Sequence, residues 1–327
     1  MQRRRRWPRR LALGLGSALG ALFLLGPYEQ VEMPGRFDAS QLRGGVGPYL
    51  AAQEARFDDI RPGAEKRVIW YGLDEVPTPL SVVYVHGFSA TSHDLAPVPE
   101  RVAQALGANL VLTRLTGHGR DGAALGRVRA GDWMRDMAEA LAVARAIGHE
   151  VVVIATSTGG TLAAVAALDP EMMRDVKGIV LVSPNFGINH PAAPLLRLPA
   201  ARYWLPLVAG RTHTTPQRSE AQARHWTLSY PTTALLPVAA LAAHARGLDY
   251  GRATVPALFH YSPQDRIVRT DRTDRVAAAW GGPVTRVAPG LGEGVDPAAH
   301  MVAGDALSPA NSGAAVATIL DWVRALE

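Results

Sequence analysis

The sequence of 327 residues contains no cysteine. Disulfides, zinc–thiolate centres, a cysteine nucleophile and lipid attachment through cysteine are thereby excluded. Lysine is nearly absent as well: of 34 basic residues only Lys66 and Lys177 are lysines. Six of the arginines (Arg3, Arg4, Arg5, Arg6, Arg9 and Arg10) crowd the first ten positions, and removing them from the net charge of +5 leaves about −1. The rest of the chain therefore lacks the basic surplus that a nucleic-acid groove needs, and no nucleic-acid partner is expected. There is no internal repeat, no His-Glu-x-x-His, no phosphate loop and no clustered ligand set, so neither a metal nor a cofactor is expected. What the sequence does have is 48% apolar residues, enough for a substantial core.

The one long apolar run is Leu11 to Gly26, sixteen residues without a charge, closed by Pro27. As a helix it would span about 24 Å, short of a hydrocarbon core of about 30 Å. Arginines ahead of an apolar helix predict an N-terminus held in the cytoplasm. Leu24, Leu25 and Gly26 offer no small-residue cleavage site. Residues 1–27 are therefore expected to be a basic N-terminus and an uncleaved signal anchor. This reading attaches the chain to the inner (cytoplasmic) membrane through its N-terminal helix, with the body on the non-cytoplasmic side; export after signal cleavage is the alternative. Gly14 and Gly16 do not make a dinucleotide loop, because no strand precedes them and Leu19 stands at the third glycine position.

Residues 28–65, polar and rich in glycine and proline, are expected to be a linker running into an amphipathic helix near 49–57. Beyond it, short aliphatic runs at 67–71, 81–85, 109–113, 150–155, 178–182, 257–261 and 284–288 read as strands. Between and after them, 96–106, 132–147, 158–168, 270–280 and 311–326 read as helices. Near-continuous apolar strands alternating with helices predict an α/β domain over 66–327, its mostly parallel sheet covered on both faces. From about 187 to 250 the rhythm breaks. No buried strand is evident and prolines recur, which predicts an inserted helical cap with an apolar underside.

The strand Val151 to Ala155 runs through Thr156 and Ser157 into Thr158, Gly159 and a helix. Such an abrupt turn tolerates only small residues two positions to either side of its apex, and Ala155 and Gly159 qualify. Ser157 would then project an exposed hydroxyl, while the N–H of Thr158 and the helix dipole would meet a developing oxyanion. A plain helix cap is the competing reading. Upstream, the strand Val82 to Val85 ends in His86 and Gly87, placing the N–H of Phe88 as a second oxyanion donor. Downstream, Asp265 follows one strand and His300 the last. Taken singly, Asp265 reads as a turn former, His300 as a loop histidine and His86 as a structural donor. Ser183 and Ser262 also follow strands, but Pro184 and Pro263 come next and lack the needed N–H. Asp271 and Asp274 fall in a predicted helix, and Asp305 follows His300 too closely.

The order Ser157, Asp265, His300, with the His86–Gly87 loop and the cap, resembles the α/β-hydrolase family, in particular its lysophospholipase, monoacylglycerol lipase and serine aminopeptidase branch. Thr116 to Gly119 is similar to the Gly-His-Gly loop of such enzymes. One departure is Ala155, where the family's elbow has glycine. The resemblance implies an α/β-hydrolase fold and a serine hydrolase acting through an acyl-enzyme. Ser157 would be the nucleophile, His300 the base and Asp265 its partner, with Phe88 and Thr158 as the oxyanion donors. His86, Gly87 and Gly159 would support the site. The expected substrate is an acylglycerol, lysophospholipid or similar acyl ester. Amide hydrolysis or acyl transfer by the same triad, and an inactive membrane-tethered binding protein, are the alternatives.

Overall fold

The computed structural model describes residues 7–33 and 36–326; Arg3 to Arg6 lie outside the described residues. The strands are β1 (Arg67–Ile69), β2 (Thr78–Val85), β3 (Asn109–Leu112), β4 (Gly148–Thr156), β5 (Val176–Val182), β6 (Thr212–Thr214), β7 (Ser229–Pro231), β8 (Ala257–His260) and β9 (Val284–Val287). The helices are α1 (Trp7–Leu25), α2 (Val46–Glu54), α3 (Val98–Leu106), α4 (Gly122–Gly126), α5 (Ala130–Ile147), α6 (Ser157–Ala166), α7 (Ala201–Val208), α8 (Glu220–His225), α9 (Leu235–Ala245), α10 (Thr270–Ala279) and α11 (Pro309–Arg324).

Seven strands form the main sheet in the order β1-β3-β2-β4-β5-β8-β9, with β1 antiparallel to β3 and the others parallel. The side-chain period of two sends Val151, Val153 and Ala155 of β4 to one face and Val152 and Ile154 to the other. The first face packs on α5 and α6, and the second on α3 and α11. Both faces are covered, which is why the central strands are apolar throughout rather than alternating. The carboxyl ends of β2, β4, β5, β8 and β9 converge on one rim, where an open α/β sheet places its ligands.

Residues 28–65 are more than a tether. Val46 and Leu50 of α2 are buried in the core, and Glu54 accepts two hydrogen bonds from buried Arg114, at 2.7 Å from Nε and 2.8 Å from Nη2. Lys66 is held between Glu139, to which it donates, and Asp136 at 3.6 Å. The chain after β5 leaves the sheet, forms α7 and α8, pairs an exposed β6 with β7, whose Tyr230 is buried, and returns through α9. Val238, Leu241 and Ala245 of α9 join the core of the main body, so the cap proper ends before this helix.

The N-terminal anchor finds no support in the structure. Among the described residues no helix is long and apolar enough to cross a membrane. The α1 helix runs from Trp7 to Leu25, with Arg9 and Arg10 in its first turn.

Candidate active site

β4 ends at Thr156, α6 begins at Ser157, and the reversal puts Ser157 at φ +71°, in the left-handed region. Such a backbone is costly for a residue with a Cβ and recurs where a side chain must be aimed. The turn leaves no space around it: a Cβ on Gly159 would lie 2.2 Å from the carbonyl oxygen of Val85. Ala155, where the family has glycine, is wholly buried, and its methyl is accommodated in the core.

The three residues expected to do chemistry form one hydrogen-bonded chain. Ser157 Oγ lies 3.1 Å from His300 Nε2, and His300 Nδ1 lies 2.7 Å from Asp265 Oδ2. The other Asp265 oxygen accepts the N–H groups of Ile267 at 2.7 Å and Val268 at 3.0 Å. Asp265 is thus both a turn former and the carboxylate that fixes His300. The carboxylate draws the imidazole proton to Nδ1 and leaves Nε2 free to accept from the serine. Burial opposes a charge on His300, but the negative charges of Asp265, Asp296 and Asp94 outweigh it and hold its pKa above the ordinary value.

The first turn of α6 leaves the Thr158 N–H without an intrahelical acceptor, and the Phe88 N–H finds none among the described residues. The loop carrying Phe88 is fixed from below. Gly87 N donates to Asp94 Oδ2 at 2.8 Å, and the Tyr84 hydroxyl donates to the same carboxylate while lying 2.9 Å from Thr156 Oγ1. Burial pushes Asp94 up to about 7, against the hydrogen bonds from Tyr84 and Gly87. A Cβ on Gly87 would sit 3.3 Å from Ser157 Cβ and 3.2 Å from Asp94 Oδ2. His86 is wholly buried. Its Nδ1 pairs with the Gly87 carbonyl at 2.8 Å and its Nε2 accepts Leu115 N–H at 3.0 Å, so it ties the β2 and β3 loops together. Burial lowers its pKa to about 4 and keeps it neutral.

Two carboxylates at the site carried no assigned role in the sequence reading. Asp94 is one. The other, Asp296, accepts backbone N–H groups from Ala298 at 3.0 Å, His300 at 3.3 Å and Met301 at 3.1 Å, and the guanidinium of Arg218 at 2.6 Å. Its position four residues before the histidine, followed by proline, is a turn signature that could have drawn attention to it. The rival residues have other tasks. Ser183 donates to the His300 carbonyl at 2.7 Å, Ser262 accepts from Gln264 N, and Asp305 accepts from Ser312.

A cavity of about 420 Å³ opens above Ser157 and His300. Its floor includes Phe88 and Thr158, and its roof comes from the cap: the β6 edge, Arg218, Trp226 and Tyr230. The cap is strapped to the body where Thr227 N donates to the Ser89 carbonyl at 2.7 Å and Arg61 donates to the Trp226 carbonyl.

The family described as serine aminopeptidase, S33, matches residues 78–288. A thermostable monoacylglycerol lipase of Bacillus sp. (strain H-257) is 30% identical over 200 residues, covering 60% of this chain and 74% of that protein. Among solved structures, one from the metagenome-derived lipolytic enzymes LipS and LipT superposes with a TM-score of 0.66 at 20% identity, over 81% of this chain and 99% of that one. A soluble variant of monoglyceride lipase from Saccharomyces cerevisiae, bound to a substrate analogue, gives 0.56 at 11% identity, over 82% and 97%. At such identities these structures speak to the fold alone.

Proposed function

The chain belongs to the α/β-hydrolase family of serine aminopeptidase S33 type and is a serine hydrolase of carboxylic esters, and from that premise we propose the residues that act and the esters they act on. Ser157 is the nucleophile. As its oxygen attacks the ester carbonyl, His300 Nε2 takes the hydroxyl proton, and Asp265 holds the imidazolium that forms. The carbonyl oxygen becomes an oxyanion facing the N–H groups of Phe88 and Thr158. Collapse expels the alcohol, which leaves with the proton from His300. Water, deprotonated by the same imidazole, then releases the acid and restores Ser157. The observation that carries this reading is the Ser157–His300–Asp265 chain at the foot of the roofed cavity.

The substrate class we propose is a single-chain acyl ester such as an acylglycerol or lysophospholipid. The name of the Bacillus relative and the aromatic side chains Phe88, Trp226 and Tyr230 around the cavity support it. We also propose export of the body from the cytoplasm, supported by the arginine run ahead of the apolar stretch. Protease accessibility in intact spheroplasts tests it: protection of the body from added protease defeats it.

The deciding experiment for the chemistry is labelling by a fluorophosphonate probe and turnover of matched esters and anilides. The wild type should label at Ser157 and cleave short p-nitrophenyl esters, and Ser157→Ala should do neither while melting at an unchanged temperature. Turnover by a folded Ser157→Ala variant overturns the assignment. A strong preference for the anilide would favour the peptidase reading that the family description also covers.

A further inference from the structure

A second, smaller cavity of about 170 Å³ adjoins the first, and Ile188 lines both. Its walls come from the chain just after β5, the end of α9 and the start of α10. They carry Arg197, Arg246, Arg269 and Arg272 together with His190, and no carboxylate lines it. Arg269 is paired with Asp271 at 2.7 Å. Arg197, Arg246 and Arg272 have no carboxylate within bridging distance among the described residues.

Two of the arginines are anchored at Gly187, Arg272 through its side chain and Arg269 through its backbone. The Arg272 guanidinium lies against the backbone of Gly187 so closely that a Cβ there would fall 2.1 Å from Nη1. The Gly187 carbonyl in turn accepts Arg269 N–H at 2.7 Å. His190 Nδ1 accepts the Ala192 N–H at 3.1 Å, which puts the ring proton of the neutral tautomer on Nε2 and makes that nitrogen a further donor. Burial, then the charges of Arg272 and Arg197, lower the pKa of Arg246; burial, then Arg269, lower that of Arg272 against the opposing charge of Asp271. Like charges gathered around a partly desolvated space repel one another, and an anion seated among them would relieve that repulsion.

We propose that this cavity binds a phosphoryl oxyanion, either as free phosphate or as the headgroup of a phosphorylated acyl ester whose carbonyl lies at Ser157. Planar guanidinium forks match tetrahedral oxyanions in geometry, and three unpaired arginines suit a group carrying more than one negative charge. The space is less than half that above Ser157, and its charged walls would be desolvated at a cost by an acyl chain, so it takes the polar end of a ligand. The headgroup form rests on the ester-hydrolase reading given above; the phosphate form does not.

The test uses the full chain carrying Ser157→Ala, so that binding is read without turnover. Calorimetric titration with inorganic phosphate, and separately with a short-chain 1-acylglycerol 3-phosphate, should give saturable binding. Arg246→Gln combined with Arg272→Gln should weaken it on the order of tenfold or more. Arg197→Gln, at an exposed position, should weaken it less and provides a variant with little risk to folding. A companion measurement with Ser157 intact compares kcat/KM for 1-acylglycerol 3-phosphate with that for the uncharged 1-acylglycerol of the same chain. If the headgroup is the occupant, the ratio falls on the order of tenfold in the double variant. If free phosphate is, phosphate binding is lost while the ratio stays put. Turnover of a short p-nitrophenyl ester should be unchanged in both arginine variants. Absence of saturable binding by either ligand, or binding indifferent to these arginines, overturns the proposal even if ester hydrolysis is confirmed.

Discussion

Arg218 Nη1 sits 2.6 Å from Asp296 Oδ1, and this contact joins the cap to the loop that carries His300. Asp296 is almost fully enclosed and gathers the N–H groups of Ala298, His300 and Met301. The position of the imidazole therefore depends on a carboxylate that touches no reacting atom. Asp296→Ala is expected to lower kcat on the order of tenfold or more while KM for a short ester changes little, because the base is misplaced rather than the pocket. Arg218→Ala, which leaves the three backbone bonds in place, should have a smaller effect on kcat. Equal losses in both variants would show that the cap contact, not the turn, holds the histidine.

The raised pKa of His300 sets the pH behaviour. Only the neutral imidazole can accept the Ser157 proton, so kcat/KM should fall with decreasing pH through a value above 6.5, the ordinary histidine figure. Asp265→Asn removes the nearest carboxylate charge. It should move that limb to lower pH and cut kcat on the order of 10³–10⁴-fold. Stability follows the opposite sign. The favourable pairing of protonated His300 contributes fully below about pH 6.5, the unfolded value, and is lost as pH rises through the folded one. A pH–rate profile and thermal melts over the same range check both halves.

Ala155→Gly would restore the family's elbow residue. The Ala155 methyl is wholly buried in the core, so the change should leave kcat within about twofold and cost about 1 kcal/mol of stability through lost apolar burial and a freer unfolded chain. Urea denaturation and initial rates measure the two effects. A large gain in activity would mean that alanine distorts the nucleophile.

Arg114 is only 3% exposed and meets Glu54 across two hydrogen bonds. Glu54→Ala would strand that guanidinium in the core, and a loss of about 3–5 kcal/mol is expected. Chemical denaturation checks it. Because Glu54 lies on α2, the result also measures how firmly the segment ahead of the sheet is docked.

The central strands were legible because both of their faces are buried, so that Val82 to Val85, Val151 to Ala155 and Gly178 to Val182 read as unbroken small or apolar runs. Ser157 was legible because a sharp turn constrains its neighbours to small residues. The β6–β7 pair was not, since Thr212 to Thr214 are all exposed and show no apolar alternation. Asp94 and Asp296 act by accepting backbone N–H groups, and such bonds impose no periodicity that composition or spacing would reveal. The apolar N-terminal run, with arginines ahead of it and no cleavage site, reads as an anchor, whereas among the described residues no helix is long and apolar enough to cross a membrane. The arginine-lined cavity assembles from residues 187–197, 246 and 269–272, which only the folded chain brings together.

The scarcity of lysine gives the protein a practical handle. Lys66 is buried between Asp136 and Glu139, and Lys177, more open to solvent, stands near the start of β5. Parallel strands run from that end toward the rim where Ser157 sits. Amine-directed coupling to a solid support would therefore use Lys177, among the lysines, as its point of attachment and hold the molecule with its cleft facing the bulk solution.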